Sequence, residues 1–132
     1  MTKFYDVNRL GRDLMPEFFE KINVQYKIRT LDNDQEFEES LNAKVVEEVE
    51  EFFAAETEDE FLEEMADVVE VFRALLKLKG ITWEEFEEIR KAKLEDRGGF
   101  EKRVFIDQLS EEDKRDSGVK LYQDQIERAN QK

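Results

Sequence analysis

Apolar side chains recur along this chain three and four residues apart, the spacing of helices that bury one face. Phe37, Leu41, Val45, Val49, Phe52 and Phe53 form one such stripe. Phe61, Met65, Val68, Val69, Val71, Phe72, Leu75, Leu76 and Leu78 form a second, and Trp83, Phe86, Ile89 and Leu94 a third. The punctuation agrees with the stripes. Asn33 followed by Glu36 reads as an N-cap with its capping-box partner, opening a helix to about Ala55. Thr57 with Glu60 opens a second, which runs to about Lys79 and is closed by Gly80. Thr82 with Glu85 opens a third that stops at Gly98-Gly99. A shorter helix is expected over Pro16 to Lys21, with Pro16 in its first turn. Val24 to Ile28 is expected to be extended. Ser110 reads as a cap, and the polar stretch Val119 to Gln131 as a short tail helix. The fold class is therefore all-α, with a helical domain over residues 1–106 and a C-terminal helical tail over 107–132.

The polar positions are less regular than the apolar ones. On the first long helix Glu50 and Glu39 fall opposite the apolar arc, where a soluble helix places acids. Glu48 lies inside the arc, and Glu51 and Lys44 at its edge. The second helix repeats the anomaly. Its apolar arc spans about 200°, twice what a surface helix needs, and Glu64 lies within it, with Asp67 at the border. Residues three apart are neighbours on a helix, and a connection at Glu56-Thr57 makes the two helices antiparallel neighbours. Four carboxylates then converge on partly buried space, where they repel one another unless protonated or neutralised. A hard divalent cation with oxygen ligands, Mg²⁺ in particular, meets that need. The competing reading is that so charged a helical protein scatters acids onto arc edges anyway. On the third helix Arg90, Lys93 and Arg97 fall on the inner face. They suit the outer phosphates of a metal-bound polyphosphate, or else simple salt bridges to Glu48, Glu51, Glu64 and Asp67.

Composition narrows the chemistry. The 132 residues are one domain's length, and 42% are charged, which suits solvated helix faces better than sheets. Asp and Glu number 35 against 21 Lys and Arg, a net charge of −14 that argues against nucleic acid and anionic membranes as partners. A single phosphorylated small molecule remains compatible if a cation bridges it to the protein. There is no histidine and no cysteine, so catalysis falls to carboxylates, amines, hydroxyls or an oxygen-held metal, and a reducing cytoplasm is expected. No glycine-rich phosphate loop is present, and no apolar run approaches a membrane span.

Glu47-Glu48-Val49-Glu50-Glu51, twelve residues and then Glu64-Met65-Ala66-Asp67 resemble the EExxE…ExxD pattern of the MazG-type all-α nucleoside triphosphate pyrophosphohydrolases, a superfamily that includes the phosphoribosyl-ATP pyrophosphohydrolases. The opening Asn8 to Glu17 (NRLGRDLMPE) is similar to the NKLVRDKIPE start of its small house-cleaning branch, and Lys93 to Phe100 (KLEDRGGF) to its K…RGGF segment. The resemblance implies a MazG-like helical bundle completed by oligomerisation as a dimer or tetramer. It implies hydrolysis of a nucleoside triphosphate, standard or damaged, to a monophosphate and pyrophosphate. Glu48, Glu51, Glu64 and Asp67 would then hold Mg²⁺, with Mn²⁺ as a substitute. Glu47 would be a group behind the ligands or the base for the attacking water, while Arg12, Lys44, Arg90, Lys93 and Arg97 would contact phosphates. Leu14 departs from the branch, which has Lys there, and leaves one phosphate contact in question. Residues beyond about Asp107 match nothing in it. Two alternatives stand beside this reading: a phosphoribosyl-ATP pyrophosphohydrolase, and a non-catalytic acidic helical binding module. The base and sugar are not encoded in any of these motifs; Phe4, Tyr5, Phe18, Tyr26 and Trp83 are the aromatic candidates for reading them.

Overall fold

The computed structural model describes residues 1–110, and the expected tail helix through Val119–Gln131 lies outside them. Four helices are formed among the described residues: α1 (Met15–Lys21), α2 (Asp34–Phe53), α3 (Glu58–Leu78) and α4 (Trp83–Arg97). No strand occurs among the described residues. The protein divides into two compact units within α4, Met1–Ala92 and Lys93 onward.

Each long helix begins where its capping residue dictates. The side chain of Asn33 accepts from the Glu36 N–H at 3.0 Å. Thr57 Oγ1 accepts from the Glu60 N–H at 3.1 Å, and Thr82 Oγ1 from the Glu85 N–H at 3.1 Å. Each bond satisfies one of the donors that a helix start leaves open. Glu60 adds a return bond, Oε2 accepting from the Glu56 N–H at 2.9 Å. The end of α3 is set by Gly80, whose φ of +72° a residue with a Cβ adopts only under strain. There the Ile81 N–H donates to Leu76 O at 2.9 Å and the Gly80 N–H to Lys77 O at 3.0 Å, the paired bonds of a Schellman motif. Gly98, with φ +80°, follows the last residue of α4.

The expected extended segment at Val24–Ile28 forms no strand. A strand needs a partner edge for its backbone groups, and the chain supplies none among the described residues. Side-chain contacts tie the segment to α1 instead: Tyr26 packs on Phe19 with ring centroids 5.8 Å apart and donates its hydroxyl to Glu20 at 2.7 Å.

Helices α2 and α3 form an antiparallel hairpin. Near the turn, Phe52 and Phe61 stack with centroids 5.0 Å apart, and at the open end Lys79 donates to Glu38 at 2.7 Å. The dry interior between them is small. Among the described residues Leu41 and Val71, 4% and 8% exposed, are the buried apolar side chains, and the third buried side chain is a carboxylate, Glu48. Much of the wide apolar arc of α3 faces outward: Phe61, Met65, Val69 and Phe72 are all exposed among the described residues.

Candidate active site

The α2–α3 hairpin places the acids that the helical wheels singled out. Glu48 is only 7% exposed, and Glu64 is half-buried. One oxygen from each of Glu48, Glu51 and Glu64 lies within 4.8 Å of the others. Glu48 Oε2 and Glu64 Oε2 are buried and have no hydrogen-bond partner among the described residues. An orphaned buried acceptor costs roughly 1–3 kcal/mol, and more when it carries charge. Two of them fall in one carboxylate cluster that could hold a metal ion. Octahedral Mg²⁺ at about 2.1 Å from its ligands separates those oxygens by roughly 3 to 4.2 Å, so small side-chain adjustments would close the cluster on such an ion. The donor set, hard oxygen without histidine or thiolate, fits the same class of cation.

Burial pushes the Glu48 carboxyl above its ordinary value. The charge of Glu51 and a hydrogen bond shared with it push the same way, and Lys44 opposes them. Lys44 Nζ lies 3.4 Å from Glu48 Oε1 and 3.4 Å from Glu47 Oε1. It sits one turn before both acids on α2, as its place at the arc edge foretold.

Other cations close round the cluster from the segment preceding α1. Arg9 Nη1 donates to Glu47 Oε1 at 2.8 Å, and Arg12 Nη2 donates to Asp67 Oδ1 at 2.5 Å. The segment thus hooks onto α2 with one arginine and onto α3 with the other. Asp67 stands one turn beyond Glu64 but is turned to Arg12, outside the three-carboxylate group. Arg9 was missed as a site residue. Its one signal in the sequence was its position three residues before Arg12 in the NRLGRD opening.

The basic stripe of α4 behaves differently. Arg90 is held by Glu87 on its own helix, Nε and Nη2 each donating at 2.9 Å. Lys93 and Arg97 belong to the second unit and are exposed, with Arg97 Nε 3.7 Å from Asp96. Among the described residues Arg90 makes no salt bridge to Glu48, Glu51, Glu64 or Asp67. The cations on those acids and on Glu47 are Lys44, Arg9 and Arg12.

No helix among the described residues is long and apolar enough to cross a membrane. A model of the phosphoribosyl-ATP pyrophosphohydrolase family matches residues 15–93, more than half of the chain, covering α1 to α3 and most of α4. The comparison with curated proteins finds no match, and neither does the comparison with solved structures.

Proposed function

Because the chain belongs to the phosphoribosyl-ATP pyrophosphohydrolase family, within the MazG-like all-α superfamily, and is a nucleotide pyrophosphohydrolase, we propose that it uses Mg²⁺ to cleave a nucleoside triphosphate between its α- and β-phosphates. The observation that carries the metal assignment is the pair of orphaned buried oxygens, Glu48 Oε2 and Glu64 Oε2, inside a three-carboxylate cluster. Glu48, Glu51 and Glu64 would hold the ion, with Asp67, here paired with Arg12, as the fourth carboxylate of the set; Mn²⁺ would serve as a substitute. A divalent cation bound here would neutralise phosphate charge and help orient a water.

The rest of the chemistry falls to the side chains. Water attacks phosphorus, the bridging P–O bond breaks, and the products are a nucleoside monophosphate and pyrophosphate. Glu47 accepts the water's proton. Both of its described ion pairs engage Oε1, which leaves Oε2 for that task. Arg12 and Lys44, already at the cluster, turn to the phosphate oxygens. Arg90, Lys93 and Arg97 would supply further phosphate contacts, Arg90 by leaving Glu87.

Phosphoribosyl-ATP is the second reading, favoured by the family model that matches. The opening and RGGF segments, which lie largely outside residues 15–93, favour the nucleoside triphosphate. Both substrates present the same triphosphate to the cluster. We further propose that a second copy of the chain covers the exposed apolar face of α3, giving a dimer or tetramer, in the cytoplasm and without nucleic acid.

The deciding experiment is pyrophosphate release from standard, deoxy and damaged nucleoside triphosphates and from phosphoribosyl-ATP, with Mg²⁺ and with EDTA. Metal-dependent release with a monophosphate product is expected. Absence of release across the whole panel would refute the proposal.

A further inference from the structure

The segment before α1 ties the two helices of the hairpin together through side chains. Arg9 holds Glu47 on α2 at 2.8 Å, and Arg12 holds Asp67 on α3 at 2.5 Å. Both acids adjoin the carboxylate cluster in sequence: Glu47 precedes Glu48, and Asp67 follows Glu64 by one turn. The backbone contributes little to this attachment. Among the described residues no backbone hydrogen bond involves residues 1–11, and the carbonyl of Arg12, accepting from the Met15 N–H at 3.1 Å, is the first to take part in one. A segment fastened by side chains, without a backbone ladder, opens locally at low cost.

The Arg12–Asp67 pair matters most, because Asp67 is a helix-face neighbour of Glu64 yet stands outside the group formed by Glu48, Glu51 and Glu64. Its described partner is Arg12. The two side chains are 58% and 36% exposed, and a pair so open to water is worth a factor of only about two to five in an equilibrium. Arg12 thus satisfies one acid at the edge of the cluster, weakly enough to be displaced. The buried oxygens Glu48 Oε2 and Glu64 Oε2 have no such partner among the described residues.

We propose that Arg12 is a built-in competitor of the divalent cation for Asp67, and that Arg9 tethers the segment to α2 while Arg12 exchanges. A cation entering the cluster frees Arg12 from α3, and Arg12 in place lowers the affinity for the cation. The two effects are equal by linkage: apparent affinity falls by the fraction of molecules in which Asp67 is free. This inference rests on the metal assignment proposed above, but its test does not depend on turnover.

The test is calorimetric titration of the full-length protein with Mg²⁺ alone, without nucleotide, in four forms: wild type, Arg12→Gln, Asp67→Asn and the double variant. Arg12→Gln should bind Mg²⁺ roughly threefold more tightly than the wild type. In the Asp67→Asn background the same substitution should change nothing, since no carboxylate is left to compete for. Unchanged or weaker binding by Arg12→Gln would overturn the inference. Equal tightening in the Asp67→Asn background would overturn it too, because Arg12 would then act through its charge on the whole site and not through that carboxylate. Mg²⁺ binding by none of the four forms would overturn it together with the metal assignment. Pyrophosphate release by the wild type judges the hydrolysis separately. Release with an Mg²⁺ affinity indifferent to Arg12 keeps the hydrolase reading and removes the competition. Tightening confined to proteins with Asp67, without release from any nucleotide, upholds the competition and fails the hydrolysis.

Discussion

Glu48 is a carboxylate held at 7% exposure, and burial of that kind costs free energy unless the charge is neutralised. Its elevated pKa means that the folded protein holds a proton there more tightly than the unfolded chain does. The contribution of this group to stability is therefore complete below the ordinary glutamate range and is lost as pH rises through the elevated value. The metal-free protein should lose stability over that window. Glu48→Gln, neutral at every pH, should remove this loss and overtake the wild type as pH rises. The same variant should abolish turnover and the stabilisation by Mg²⁺, which for a site at a hundredfold excess over its Kd is about 2.7 kcal/mol. Glu50→Gln, on the exposed face of α2, should leave both unchanged. Thermal unfolding across pH, with EDTA and with Mg²⁺, checks all of this. Parallel pH profiles for wild type and Glu48→Gln, or equal effects at Glu48 and Glu50, would remove Glu48 from the site.

The elements show what the sequence could and could not disclose. Asn33, Thr57, Thr82, Gly80 and Gly98 act within a turn of themselves, so their chemistry was readable and the helices begin and end within about two residues of expectation. The inward acids were readable for a similar reason: the helical period and a short connection fix which faces of α2 and α3 meet. The partners of those acids were not. Arg9 and Glu47 are 38 residues apart and Arg12 and Asp67 are 55, and no local period encodes such pairings. The wheel likewise could not tell that Arg90 would take the acid three residues before it, although i, i+3 pairing is the commoner fate of a helical arginine beside glutamates. Among the caps, Thr57 has most to lose, since it sets the start of α3 right after the hairpin turn. Thr57→Ala should cost about 1 kcal/mol by denaturant unfolding, with Thr57→Ser recovering most of it. An unchanged midpoint would show that the bond between Glu60 and the Glu56 N–H holds the turn alone.

At the scale of the molecule, family membership decides between an enzyme and an acidic binding module, a choice that charge and composition left open. It does not supply the missing interior. Among the described residues two buried apolar side chains are few, and Met65, Val69 and Phe72 stand exposed along one side of α3. If a second copy covers them, the midpoint of thermal unfolding should rise with protein concentration, and Phe72→Glu should abolish that dependence. With 35 acids against 21 bases on each copy, association should also tighten as salt shortens the Debye length toward about 8 Å. Analytical ultracentrifugation of wild type and Phe72→Glu at low and physiological salt measures both effects. A wild type that stays monomeric throughout would refute the assembly.

The short connection between α2 and α3 has a kinetic side as well. Glu48, Glu51 and Glu64 come together as soon as the hairpin closes, early in any folding route that favours contacts close in sequence. Like charges then meet in the nascent hairpin before the arginines of the N-terminal segment, many residues away, need have arrived. A cation in the surrounding solution would thus act on the barrier to folding as well as on the finished site, and the ligand of the enzyme would double as a catalyst of its own pocket's assembly.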